Sequence, residues 1–140
     1  MLSPSQKGVR RGAAAGIAIT AGSLALAIAT APGRFLPHGN SSLAFALAWD
    51  TPIVVCLVIN IALVANHRFF TPEDIDGGGL SAGTARVRLL QSMLQNTLEQ
   101  TVLATAVHLI WASVMPTSWQ AAIPAAALLF AIGRVVRSEE

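Results

Sequence analysis

Residues 43–65 of the chain, LAFALAWDTPIVVCLVINIALVA, are the stretch that decides the fold. This stretch of 23 residues contains one charged side chain, Asp50, and one proline, Pro52. At about 1.5 Å rise per residue, a helix of this length reaches about 34 Å, which is enough to cross the hydrocarbon core of a bilayer. Because backbone polar groups inside lipid must be satisfied within the segment, so long an apolar run predicts a transmembrane helix.

Three further apolar runs lie on either side of this stretch, at residues 13–31, 89–115 and 119–136. Over the 140 residues, 54% are hydrophobic and 11% are charged, whereas soluble domains carry about a quarter charged residues. The composition excludes a water-soluble domain of this size, because so small a polar coat could not cover the apolar surface. The sequence predicts a single membrane domain (1–140) that folds as an all-α integral membrane four-helix bundle with a cytoplasmic loop at 66–88. The expected partner of this bundle is the lipid bilayer.

The first run has two interpretations. It follows a basic segment and ends in small residues, Ala29-Thr30-Ala31, which is also typical of a cleaved signal peptide. Its 19 residues exceed the apolar core of about 7 to 15 residues that signal peptides carry. We therefore expect a retained first helix.

Basic residues orient the bundle, because Lys and Arg collect in cytoplasmic loops. Four spans with both termini in the cytoplasm place eight of the nine basic residues on the inner side, with Arg34 alone on the outer side. The eight inner residues are Lys7, Arg10, Arg11, Arg68, Arg86, Arg88, Arg134 and Arg137. We expect an integral protein of a bacterial inner membrane.

Several site classes are not indicated. The net charge of +2 is spread over several loops, so no nucleic-acid partner is expected. No metal site is predicted, and the three histidines His38, His67 and His108 differ in depth, which argues against a bis-histidine haem site. The lone cysteine, Cys56, lies in an apolar run and is interpreted as a small buried hydrophobe.

The loop at 66–88 is expected to be ordered. Its segment Thr71-Pro72-Glu73-Asp74 has the form of a helix start, with Thr71 as N-cap and the acids near the positive end of the helix dipole. The glycines at 77–79 then end the helix. A calcium loop is the alternative, but the first acidic ligand and the closing Glu are missing.

Polar side chains follow one face at the start of the third run. Gln91, Gln95 and Glu99 are four residues apart and form one stripe, which Arg88, Ser92 and Asn96 flank. Glu99 lies about ten residues from the inner end, near the middle of the bilayer. A carboxylate at that depth needs a compensating partner.

Arg134 is the best candidate partner for Glu99, because the fourth run returns to the cytoplasmic leaflet and a guanidinium stem is long. With Asn60 in the same leaflet, these side chains predict a polar pocket that opens to the cytoplasm. The alternative is that the amides only join helices to one another. Asp50 in the outer half of its run caps a broken helix, is wet, or has a proton or ion role, and the sequence shows no partner for it.

The segment Gln95-Asn96-Thr97-Leu98-Glu99-Gln100 resembles the second-helix motif of the MAPEG family, the membrane-associated proteins in eicosanoid and glutathione metabolism. Gly133-Arg134-Val135 is similar to the Gly-Arg motif of the family's next helix, and the order of elements over 43–137 also matches. Ser92 stands where many members have Arg, the chain has no tyrosine, and most members have one more span after the Gly-Arg helix. The resemblance is thus to a C-terminally shortened member of bacterial type.

The resemblance implies a homotrimer that binds glutathione between protomers and acts as a glutathione-dependent transferase or peroxidase on lipophilic substrates. It implies that Gln95, Asn96 and Glu99 bind the polar backbone of glutathione, and that Arg134 binds a carboxylate or favours the thiolate as a catalytic residue. Two other functions remain open from the residues alone. One is a noncatalytic helical scaffold in the membrane, and the other is a small transporter that uses Asp50 and Glu99.

Overall fold

The structure is a computed structural model that describes residues 4–31, 41–76 and 83–137. All regular secondary structure in these residues is helical, which confirms the all-α prediction. The four α-helices are α1 (Pro4–Thr30), α2 (Ser42–Phe70), α3 (Ala85–Val114) and α4 (Ala122–Arg137). Two short 3-10 turns, Pro72–Asp74 and Thr117–Trp119, precede α3 and α4.

Two stretches in the described residues are long and apolar enough to cross a bilayer, Arg10–Thr30 of α1 and the whole of α2. Helix α3 has the length, at 30 residues, but the polar side chains at its start lower its apolar character. Helix α4 has 16 residues, fewer than the roughly 20 of a typical span, because the chain first makes a 3-10 turn at 117–119. The crossing of the bilayer by all four helices and the orientation of the termini stay predictions.

The ends of the helices follow from local sequence. The hydroxyl of Ser41 accepts a hydrogen bond from the backbone of Ala44 (3.1 Å) at the start of α2, as an N-cap does. Helix α2 ends at Phe70 and helix α3 ends at Val114, and in each case the next residue precedes a proline. Thr71 before Pro72 and Met115 before Pro116 adopt extended backbone conformations, because the proline ring clashes with a helical predecessor.

Helices α2 and α3 pack as an antiparallel pair. At one end, Asp74 of the loop contacts His67 near the end of α2 and Thr84 at the start of α3. At the other end, Asp50 near the start of α2 contacts His108 near the end of α3. Helix α4 packs against α2, and α1 packs against α4. A core cluster where α2 begins and α3 ends consists of Phe45, Ala46, Ala112 and Ile123, with Trp49, Leu109 and Trp111 against it.

Large apolar side chains cover much of the outer surface of the bundle. Val58 on α2, Leu103 on α3 and Ile17 on α1 are 56%, 65% and 71% exposed. In water this surface would be strongly unfavourable, since apolar patches on soluble proteins are small. The surface suits a lipid environment, where acyl chains would contact it.

Substitution of Ala46 by Leu tests the close approach of α2 to its neighbours. Ala46 is completely buried, so the added carbons must displace side chains of the core cluster, and we expect a loss of about 1–3 kcal/mol in unfolding free energy. Ala48→Leu is the matched control, because Ala48 is exposed on the same helix. Denaturation of both variants in detergent micelles measures the difference, and equal stability would contradict the packing.

Candidate functional site

The polar stripe predicted on α3 is present as two hydrogen-bonded pairs of side chains. The amide of Gln95 donates to Glu99 Oε1 (2.8 Å), and the amide of Gln100 donates to Asn96 Oδ1 (3.1 Å). The two members of each pair are four residues apart, so one side chain lies above the other on the same face of the helix. The two pairs hold four polar side chains in fixed orientation over two turns of α3.

Arg134 of α4 lies against the same part of α3. Its guanidinium donates to Thr97 Oγ1 (3.2 Å) and to the carbonyl of the Gln100 side chain, and it lies 5.2 Å from the centre of the Phe130 ring. Thr97 is buried and donates to the Met93 carbonyl on its own helix (2.8 Å). We call the five side chains on the two helices the α3–α4 polar patch: Gln95, Asn96, Glu99, Gln100 and Arg134.

The structure thus brings together the two helix segments that the sequence singled out. Arg134 lies against Thr97, which is inside the Asn96-to-Glu99 segment, and against Gln100, which follows it. The carboxylate of Glu99 is bonded to Gln95, and both side chains are exposed on the single chain. Direct contact between Glu99 and Arg134 stays a prediction. The side-chain amide of Asn60 donates to the Cys56 carbonyl of its own helix (2.9 Å). This hydrogen bond does not involve a side chain of the α3–α4 polar patch.

A second polar cluster lies inside the bundle, between α2 and α3. His108 Nδ1 lies 2.5 Å from Asp50 Oδ1, and the side chains are 7% and 3% exposed. The sequence placed Asp50 in the outer half of its run and did not pair it with His108. Their equal depth on two antiparallel helices was the signal that could have identified the pair.

A third cluster fastens the loop between α2 and α3. Asp74 Oδ1 accepts from the backbone of Thr84 (2.8 Å), and Asp74 Oδ2 accepts from the Thr84 hydroxyl (2.6 Å). His67 Nε2 lies 3.0 Å from the same Oδ2. The hydroxyl of Thr84 also accepts from the backbone of Val87 and caps α3. We call Asp74, Thr84 and His67 the loop latch, because they join the end of α2 to the start of α3.

The latch corrects the interpretation of the loop. The sequence predicted that Thr71 caps a helix whose first turn carries Asp74. Only a 3-10 turn forms, Thr71 makes no capping hydrogen bond with its side chain, and Asp74 instead holds the start of α3. Gly83 precedes Thr84 in the loop latch and has a backbone φ of +64°. Residues other than glycine rarely adopt this left-handed conformation.

The hydrogen bonds from Thr84 lower the pKa of Asp74 below its ordinary value, with His67 adding to the effect and burial opposing it. Hydrogen bonds to a carboxylate favour the charged form. In the described ranges, no group of three or more His, Cys, Asp or Glu side chains could hold a metal ion. The latch is interpreted as a structural element of the loop, because its hydrogen bonds join the end of α2 to the start of α3.

The lowered pKa of Asp74 makes the latch sensitive to acid. A carboxyl group with a lowered folded-state pKa stabilises the fold above its unfolded value of about 3.9, and the contribution is lost as the pH falls through the folded value. We expect the loop to be protected at pH 6 and to become sensitive to proteases as the pH is lowered below the unfolded value of about 3.9. Limited proteolysis of the 71–84 loop, with proteases active at each pH, measures this.

Asp74→Asn should open the loop at pH 6, since an amide cannot accept the same three contacts. Asp76→Asn is the control, because Asp76 is an exposed carboxylate in the same loop. Equal protease sensitivity of the two variants at pH 6 would contradict the role of the latch.

Comparisons of the chain with models of protein families, with curated proteins and with solved structures found no match. The resemblance to the MAPEG family therefore stays a prediction from the motif residues.

Proposed function

We propose that the chain is a MAPEG-like integral membrane protein that binds glutathione at the α3–α4 polar patch. On this proposal it acts as a glutathione-dependent transferase or peroxidase on lipophilic substrates. One observation carries the proposal: the guanidinium of Arg134 lies against α3 at Thr97 and Gln100, each of which directly follows one of the motif residues Asn96 and Glu99. Two motifs that are 35 residues apart in the sequence thus meet in space.

The chemistry of the patch fits glutathione. Glutathione carries an ammonium group, two carboxylates and a thiol. The exposed carboxylate of Glu99 suits the ammonium, and the guanidinium of Arg134 suits a carboxylate. A cation near the thiol would also favour the thiolate, which is the nucleophilic form. The amides of Gln95 and Asn96 add hydrogen-bonding groups for the peptide backbone.

The position of the patch supports an oligomer. Gln95, Glu99 and Gln100 are exposed on the single chain, although Glu99 lies near the middle of α3. A carboxylate that faced acyl chains there would be unfavourable, so a neighbouring protomer or a ligand is needed to cover it. A homotrimer with glutathione between protomers, which the resemblance implies, meets this need.

The proposed setting is a bacterial inner membrane, with four spans and both termini in the cytoplasm. The two apolar stretches in α1 and α2 and the distribution of basic residues support this setting. Helix α3 would cross with its polar start in the inner leaflet, so that the patch opens toward cytoplasmic glutathione.

Binding of glutathione tests the proposed function. We expect calorimetry on protein in nanodiscs to show binding, and Glu99→Gln and Arg134→Gln each to weaken it at least tenfold. The reason is that each variant removes one charge-assisted contact, which contributes about 1.5–3 kcal/mol. Glu73→Gln is the matched control, because Glu73 is an exposed carboxylate in the inner loop.

Binding that stays unchanged in both patch variants would overturn the proposed site. No binding by the unsubstituted protein would overturn the glutathione function. The folded state of each variant can be checked by its size in gel filtration and by its helix content.

The topology has its own test. In a Cys56→Ser background, we expect an impermeant thiol reagent to label Ser118→Cys in intact spheroplasts. Asp76→Cys should react only after permeabilisation, because α3 separates the two exposed positions by one crossing. Protease-sensitive tags on the two termini should be cut only in permeabilised spheroplasts. Labelling of both cysteines from the same side would show that α3 does not cross the membrane.

A noncatalytic scaffold is the second candidate function. It is favoured by the side-chain pairs Gln95–Glu99 and Asn96–Gln100, because exposed amides and carboxylates of this kind also hydrogen-bond to neighbouring helices. This function predicts that Gln95→Leu and Glu99→Gln change the size of the oligomer but that no glutathione binds.

A further inference from the structure

We propose that Asp50 and His108 form a proton-binding site in the interface between α2 and α3. The pair would hold one proton in addition to the proton that joins His108 Nδ1 to Asp50 Oδ1. The site is separate from the α3–α4 polar patch, and the proposal does not depend on glutathione.

The short contact requires the first proton. A ring nitrogen and a carboxylate oxygen both carry lone pairs, so they approach to 2.5 Å only when a proton lies between them. If this were the only proton, the imidazole would be neutral, the carboxylate would be ionised, and the pair would carry one negative charge.

The surroundings of the pair disfavour that negative charge. One helical turn from Asp50 and His108 lie Ala46 and Ala112, which belong to the buried core cluster with Phe45 and Ile123. An isolated charge among such side chains is strongly unfavourable, and buried groups respond by becoming neutral. A second proton makes the pair neutral overall, on His108 as an ion pair or on Asp50 as a carboxylic acid.

The described ionisable groups on the packed helices lie away from the pair toward the inner end. They are Cys56, His67 and Arg68 on α2, Arg86, Arg88 and Glu99 on α3, and Arg134 on α4. Glu99 is nine residues from His108, about 14 Å along the helix axis, and has the wrong sign to compensate. Arg134 contacts Thr97, which is eleven residues from His108, or about 17 Å. We therefore infer that a second proton on the pair itself compensates the negative charge of Asp50.

The second carboxylate oxygen offers a place for this proton. Asp50 Oδ2 is buried and has no hydrogen-bond partner among the described residues. A protonated Oδ2 would leave the bond between Oδ1 and His108 in place. The proton can thus reside on either member of the pair without rearrangement of the two helices.

Spectroscopy of the unsubstituted protein tests the proposal directly. Protein with ¹⁵N-labelled histidine in phosphatidylcholine nanodiscs is measured at pH 8, with His108→Gln to assign the signal. We expect either a His108 ring with both nitrogens protonated or an infrared carboxylic acid band that is absent from Asp50→Asn. A neutral ring together with an ionised carboxylate at pH 8 would overturn the proposal.

Discussion

Hydrocarbon offers no hydrogen bonds, so each polar group that a helix carries to membrane depth must find its partner in the protein or in a ligand. Several polar side chains of this chain find such partners within the described residues. Asp50 is bonded to His108 inside the bundle, and Arg134 is bonded to Thr97 and Gln100 between two helices. In the proposed membrane setting, these polar contacts specify which helix faces meet, because apolar surface alone has little preference in lipid.

Apolar packing and polar pairing act at different places in the bundle. The core cluster of Phe45, Ala46, Ala112 and Ile123 lies where α2 begins and α3 ends, next to the Asp50–His108 pair. At the other end of the same two helices, the loop latch holds the start of α3 through Asp74 and Thr84. Between these two fastenings α3 turns one polar face to Arg134 and leaves Glu99 exposed, which is why the patch rather than the buried pair suits a ligand.

The two inferred sites differ in accessibility and therefore in the kind of ligand they suit. The side chains of Glu99 and Gln95 are open on the single chain, so a molecule with several charged groups can reach them. Asp50 and His108 are more than nine-tenths buried, so only a proton reaches them without opening of the helices. The difference in exposure separates a proposed substrate site from a proposed internal charge site within one helix, α3.

Sequence alone determined the helical class and the approximate ends of the helices. Long apolar runs require backbone bonding within the segment, and Pro72 and Pro116 stop α2 and α3 through the residues before them. It also identified Asn96, Glu99 and Arg134 as candidates, because charged and amide side chains are rare in apolar runs. Tertiary structure alone decided the partners: His108 for Asp50, Thr84 for Asp74, and Thr97 and Gln100 for Arg134. The physical reason is that these contacts join residues 10 to 58 positions apart, and their register depends on how two helices pack, which no local pattern encodes.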